Sequence, residues 1–189
     1  DIMCFQTIVF SVIQQKASEP YLYKMEEVIL VDVNDQTLGT MEKLKAHELG
    51  RLHRAVSVFI FNSKQELLLQ QRAFTKYHSA GLWTNTCCSH PRSGELPISA
   101  AKRRLQEEMG LDVELHFSGT FIYKAALDQG LTEHELDHVF YGTSDALPIL
   151  NPEEVHAYRW ISKADLGIEI QKFPERFTYW FPLALHRFY

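Results

Sequence analysis

One stretch of the chain has to be a helix, and nearly everything around it reads as strand. Ile98, Ala101, Leu105 and Met109 recur at close to helical spacing from about Pro97, and Gly110 supplies the stop. Before this helix, Glu27–Val33 is an apolar run beside the turn dipeptide Asn34-Asp35, and Val56–Phe61 and Leu67–Leu69 read as a hairpin joined through Asn62–Glu66. After it, Val113–Phe117, Thr120–Ala126 and Glu133–Tyr141 read as strands, Ser162–Leu166 as the start of a short helix, and Pro174–Tyr189 as an aromatic-rich helix. Strands on both sides of a central helix predict an α/β (α+β) chain, a three-layer α/β/α sandwich with a mixed central sheet.

A length of 189 residues suits one domain. Residues 1–24 read as an N-terminal extension and 25–189 as the domain. With 46% apolar and 23% charged residues, the composition excludes disorder, collagen-like repeats and coiled coil as whole-chain descriptions. The balance of 19 basic and 24 acidic residues, a net charge of −5, is not the footprint of a nucleic-acid binder, although it leaves room for a local basic pocket that takes a small anion. Three cysteines, Cys4, Cys87 and Cys88, cannot build a disulfide framework, so they are expected as free thiols in a reducing, cytoplasmic compartment. The longest apolar run, within residues 8–13, is too short to span a bilayer and lacks the flanks of a signal peptide.

Four segments carry chemistry. Residues 73–97 form a long irregular stretch rich in Gly, Pro, Ser, His and Cys, of a kind that tends to be functional. Within it Cys88 stands two residues from His90, a spacing that suits a metal-ligand pair or an activated acid, base or nucleophile; the plainer alternative is a small buried hydrophobe. Adjacent side chains of an extended segment face opposite ways, so Cys88 is expected to share the pocket with His90 while Cys87 turns to the core. Glu107 and Glu108 crowd the last turn of the central helix, where cations are favoured; a divalent ion would relieve them, and a solvated acidic face is the alternative. Glu133 and Glu135 fall on one strand face, with His134 on the other, and repel unless something cationic lies between them. His47 and His53 complete the set. With His90 they offer three nitrogen donors to the two carboxylates, an N3O2 set that suits a near-octahedral Mn2+, Mg2+ or expanded Zn2+ and leaves a sixth position open.

The central helix resembles the second half of the Nudix box at Arg103, Leu105, Glu107, Glu108, Gly110 and Leu111, with Glu95 at the Glu position of the front half and Ser89 at its leading Gly. Arg104 replaces the first Glu of the Arg-Glu pair, which weakens a hydrolase reading. Together the segments closely resemble the type I isopentenyl-diphosphate isomerase family, a Nudix-fold branch, from about Glu27 to the C-terminus. Asn85-Thr86-Cys87-Cys88-Ser89-His90-Pro91 carries the most specific match. The Glu133/Glu135 pair ten residues after Tyr123 and the segment Phe177-Thr178-Tyr179-Trp180 support it independently.

The resemblance implies a Nudix-like domain that interconverts isopentenyl and dimethylallyl diphosphate by protonation and deprotonation through a tertiary carbocation, in isoprenoid biosynthesis. By the same resemblance, His47, His53, His90, Glu133 and Glu135 would hold one tightly bound divalent metal, Mn2+, Zn2+ or Mg2+. Cys88 and Glu135, the latter assisted by Tyr123, would transfer protons. Glu108 would help hold a Mg2+ on the substrate diphosphate. Lys43, Arg72, Lys76 and Arg104 would bind that diphosphate, with Arg104 and Lys76 expected to serve it and not the fold. The ring of Trp180 would face the developing cation. The implied partner is a small prenyl diphosphate, with no nucleic acid or membrane, acted on by a monomer or homodimer. A Nudix hydrolase of a nucleoside or prenyl diphosphate is the main alternative, and it has no need of Cys88 or the histidine cluster. A metal-dependent binding module is a third.

Overall fold

A computed structural model of the chain describes residues 26–188. The extension assigned to residues 1–24, and Cys4 with it, lies outside the described residues. The elements are β1 (Glu27–Val31), β2 (Thr37–Glu42), α1 (Lys43–Glu48), β3 (His53–Phe61), β4 (Leu67–Arg72), β5 (Trp83–Thr84), β6 (Cys87–Ser89), α2 (Pro97–Met109), β7 (His116–Ala126), β8 (Thr132–Thr143), β9 (Val155–Ile161), α3 (Lys163–Lys172) and α4 (Trp180–Phe188).

All the strands belong to one mixed sheet organised around β3. On one side β3 runs parallel to β8 along its whole length, His53 opposite Glu135 through Phe61 opposite Thr143. On the other side it meets β1, β6 and β4 in succession, each antiparallel. β7 pairs with β8 outside it, and β4 carries β5 and β9.

Strict alternation along β3 explains the layers. Val56, Val58 and Ile60 point to one face and pack with Leu68, Cys87, Ala101, Leu105 and Met109 under α2. Phe59 points to the other face, with Leu67, Leu69, Leu166, Trp180 and Phe181 under α3 and α4. Both faces are covered, giving the expected three-layer sandwich. Leu105 and Met109 are fully buried, and truncating either to Ala would cost roughly 2–5 kcal/mol.

The helix ends follow local chemistry. The Glu42 carboxylate caps α1 by accepting from the amides of Leu44 and Lys45 at 2.9 and 2.8 Å. The Ser162 hydroxyl caps α3 by accepting from Asp165 N at 3.1 Å. Gly110 ends α2 in the left-handed region at φ 66°, where a Cβ would stand 2.8 Å from Ile149.

Several elements differ from the sequence reading. β2, α1 and β9 have no counterpart in it. β2 is an exposed strand without apolar alternation, α1 is only six residues long, and β9 is held by its ladder with β4 more than by its own pattern. The two strands expected over residues 113–126 are one, β7, with a bulge between Phe117 and Gly119. The last helix begins at Trp180, not Pro174. Residues 174–176 form a 3-10 turn, and Thr178 N donates to Trp83 O at 3.0 Å, so Phe177 pairs as a short bridge with β5. Among the described residues no helix is long and apolar enough to cross a membrane.

Candidate active site

Sheet register assembles the centre of the site. Tyr123 on β7, Glu135 on β8 and His53 on β3 are Cα partners in a row across three strands, and all three side chains are buried on one face. α1 delivers His47 from beyond the start of β3, and His90 follows directly after β6. The Tyr123 hydroxyl donates to Glu135 Oε2 at 2.6 Å, His90 Nε2 lies 2.8 Å from Glu135 Oε1, and His47 Nε2 lies 3.4 Å from Glu133 Oε1. Four of the five expected donors, His47, His53, His90 and Glu135, therefore meet, and Glu133 adjoins them through His47. His134 turns to the opposite face, its Nδ1 3.0 Å from Gly50 O.

Two of the imidazoles are oriented from behind. His47 Nδ1 donates to the Lys43 carbonyl at 2.7 Å and His53 Nδ1 to the Arg51 carbonyl at 2.8 Å, which leaves both Nε2 lone pairs facing the centre. His53 Nε2, His90 Nδ1 and Glu133 Oε2 are buried without a hydrogen-bond partner. One ligand atom each from His47, His53, His90 and Glu135 lie within 4.8 Å of one another. Donors opposite each other on a single divalent ion stand about 4.4 Å apart, so these residues fit such an ion.

Electrostatics agree with a cation site. Burial holds the His90 pKa down at about 4 even though Glu135 pulls it up, so its imidazole is neutral, the form that ligates. Burial and the charge of Glu135 push Glu133 up. Burial also acts to raise Glu135, but His53, 3.5 Å away, and the hydrogen-bonded His90 outweigh it and hold this carboxyl well below its usual range. For His47, burial acts downward and is overcome by Glu133 and the Lys43 carbonyl, so its pKa rises.

Cys88 and Cys87 face opposite ways. Cys87 is fully buried in the cluster under α2, while Cys88 packs against the cluster that contains Tyr123 and Trp180 and lines the cavity with His90, Glu133 and Glu135. Burial, followed by the charges of Glu135, Asp137 and Glu133, pushes the Cys88 thiol well up, so it holds its proton. Behind it, Ser57 is the Cα partner of Cys88, and its hydroxyl donates to the buried Asp137 carboxyl at 2.7 Å. Trp180 forms part of the cavity wall, with the Arg72 guanidinium 5.5 Å from its ring centroid.

The four cations expected at the diphosphate all line this cavity, and each has a partner. Lys43 pairs with Glu26 at 2.9 Å, and Lys76 pairs with Glu154. Arg72 donates to the carbonyls of Ser79 and His78 at 3.1 and 3.2 Å. Arg104 binds Glu107, Glu108 and Glu154 at 2.8, 2.7 and 3.0 Å. Arg104 was expected to serve an anion and not the fold, but a side chain spanning three carboxylates also holds α2 to the Glu154 loop. Glu108 lines the cavity too, with its second oxygen accepting from Gln70 Nε2 at 3.0 Å. The sequence reading missed Glu154 and His78. Glu154 carries no motif, whereas His78 lies in the His-rich stretch already singled out.

The fold and this site define a NUDIX-domain protein: the family model for that domain matches residues 51–181. A crystal structure from Deinococcus radiodurans superposes with a TM-score of 0.73 at 22% identity, over 87% of this chain and 99% of that one. A MutT protein from Methanosarcina mazei Go1 gives a TM-score of 0.60 at 22% identity, over 72% and 92% of the two chains. These show the fold alone. Sequence relatives are more specific. An isopentenyl-diphosphate Delta-isomerase from Pectobacterium atrosepticum is 53% identical over 163 residues, which is 86% of this chain and 91% of the relative. Isopentenyl-diphosphate Delta-isomerase 2 from Aromatoleum aromaticum is 48% identical over 162 residues, 86% of each chain. The chain belongs to the isopentenyl-diphosphate Delta-isomerase family.

Proposed function

We propose that this chain is an isopentenyl-diphosphate Delta-isomerase whose proton-transfer groups are Cys88 and the Glu135–Tyr123 pair. The reaction adds a proton to the terminal carbon of the alkene, giving a tertiary carbocation, and removes one from the carbon on the other side. It needs two groups in different protonation states, shielded from water. The observation that carries the reading is that Cys88 and the hydrogen-bonded Glu135–Tyr123 pair border one cavity, with burial holding the thiol's pKa up and neighbouring imidazoles holding the carboxyl's down. Trp180 presents a ring face to the cation. Lys43, Arg72, Lys76 and Arg104 bind the diphosphate, and that binding orients the alkene.

His47, His53, His90, Glu133 and Glu135 hold a divalent ion, Mn2+, Zn2+ or Mg2+, and Glu108 helps hold a Mg2+ that accompanies the diphosphate. The metals supply positive charge that neutralises the carboxylates and the substrate anion. The protein acts in the cytoplasm, as a monomer or homodimer.

Incubation with isopentenyl diphosphate and Mg2+, with products read by NMR, tests this. Dimethylallyl diphosphate is expected, with the diphosphate intact. Released phosphate without alkene migration would instead establish a hydrolase, a reading that Arg104 in the place of a box carboxylate disfavours.

A further inference from the structure

We propose that Glu154 is a positioning residue for the substrate diphosphate, holding Lys76 and Arg104 at a fixed spacing before the substrate arrives. The inference rests on the reading of these two cations as diphosphate ligands.

Glu154 is a carboxylate where an anion has to bind. It lines the cavity together with Lys43, Arg72, Lys76 and Arg104. Burial acts to raise its pKa, but Lys76 and Arg104 outweigh that and hold it at about 2, so the group is charged. By Coulomb's law alone, a fixed negative charge repels a diphosphate. Such a residue serves an anion site only through what it does to the cations around it.

Its place is set by the backbone. Glu154 N donates to Asn151 O at 3.0 Å, and Glu154 O accepts from Ala73 N at 2.9 Å, which ties the residue to the loop that carries Lys76. Asn151 N donates in turn to Glu108 O at 3.0 Å, four residues beyond Arg104 on α2. Main-chain bonds on both sides therefore put this carboxylate between the two cations.

Each carboxylate oxygen takes one of them. Oε2 accepts from Lys76 Nζ, and Oε1 lies 3.0 Å from Arg104 Nη2. Lys76 keeps two ammonium hydrogens for an anion. Arg104 also donates through Nε and Nη2 to Glu108 and through Nη1 to Glu107, so one Nη1 hydrogen remains. Lysine and arginine are long and rotamer-rich. Ordering them during binding weakens affinity, and a carboxylate that orders them beforehand removes that loss. A tie needed only by the fold would be served as well by a carboxylate outside the cavity, as Glu95 serves Arg103.

Calorimetric titration of the full chain, with Mg2+ present, by inorganic diphosphate reads the anion site, and steady-state kinetics separate KM from kcat. Glu154→Gln keeps the shape and removes the charge. Glu154→Asp keeps the charge and withdraws it by one methylene, and it preserves the test if Glu154→Gln does not fold. Both are expected to weaken diphosphate binding by about tenfold and to raise KM to match, with kcat nearly unchanged. The sign discriminates, because removing a negative charge from an anion site would by itself tighten binding. Tighter or unchanged binding in the two variants would overturn the positioning role, as would a loss of kcat at constant KM. Lys76→Met separates the two levels. If it weakens diphosphate binding and neither Glu154 variant does, only the role of Glu154 is lost. If it too leaves binding unchanged, the reading of the anion site fails and Glu154 falls with it.

Discussion

Tyr123 and Glu135 are Cα partners across β7 and β8, and the Tyr123 hydroxyl donates to Glu135 Oε2 at 2.6 Å. Because the pair is set by strand register, its geometry is rigid. Both groups are buried, and burial, then Glu135, pushes the phenol well up, so it remains a donor throughout the working range. A proton-transfer carboxylate needs such a fixed partner, since a flexible one would have to be ordered in each turnover.

Tyr123→Phe removes that donor and nothing else of comparable size. A hydrogen bond to a charged group contributes about 2 kcal/mol, so turnover should fall by roughly thirtyfold while metal content stays constant. Steady-state kinetics beside metal analysis checks it. A variant with unchanged kcat excludes Tyr123 from the reaction.

Cys88→Ala should abolish turnover and leave the thermal midpoint almost unaltered, because the thiol faces the cavity. Cys87→Ala should keep most activity and lose roughly 1 kcal/mol of stability, because the buried sulfur packs beneath α2. The assignment is reversed if Cys88→Ala is active and Cys87→Ala inactive.

Arg104→Glu is expected to damage both binding and stability. It would set a fourth carboxylate against Glu107, Glu108 and Glu154, where the Arg104 side chain is only 15% exposed. A loss of about 2 kcal/mol lowers the melting temperature by roughly 4–8 °C, alongside a raised KM. A raised KM with an unshifted melting curve would show that the ion pairs contribute nothing to the fold.

Glu154 makes stability sensitive to acid. Burial acts to raise its pKa, but Lys76 and Arg104 outweigh that and hold it at about 2. A carboxyl whose folded pKa is depressed contributes fully above its unfolded value, near 4.5, and the contribution fades as pH falls toward 2. Chemical denaturation of wild type and Glu154→Gln should therefore differ most above pH 4.5 and converge below it. A constant difference across that window would remove Glu154 as the source.

Chelation should lower the melting temperature, because the buried Glu133 and Glu135 are then left to repel each other. Restoring Mn2+ should recover it in a concentration-dependent way, as for any ligand that binds only the folded state. A melting curve indifferent to chelator and metal would remove the ion from the stability of this fold.

Elements that carry their own periodic or capping signal were legible before any coordinates. α2 shows helical spacing and a glycine stop, β3 is a dense apolar run, and opposed side chains in Cys87-Cys88 follow from an extended backbone. β2, α1 and β9 were not legible, because each is held by its neighbours and not by a pattern of its own. Aromatic composition suggested helix from Pro174, whereas residues 174–176 form a 3-10 turn and a backbone bond from Thr178 to Trp83 holds Phe177 extended beside β5.

The sequence by itself determined the donor types, the alternation that puts Glu133 and Glu135 on one face, and the exchange of a box carboxylate for Arg104. These are local properties, readable from residue identity and spacing. Only the tertiary structure decided which histidines converge, since His47, His53 and His90 arrive from different elements and meet through the packing of α1 and the strand register. It also decided that Arg104 and Lys76 share Glu154. That partnership joins the middle of α2 and the loop after β4 to the loop before β9, and contacts between distant segments are set by how the sheet packs, which spacing along a chain does not encode.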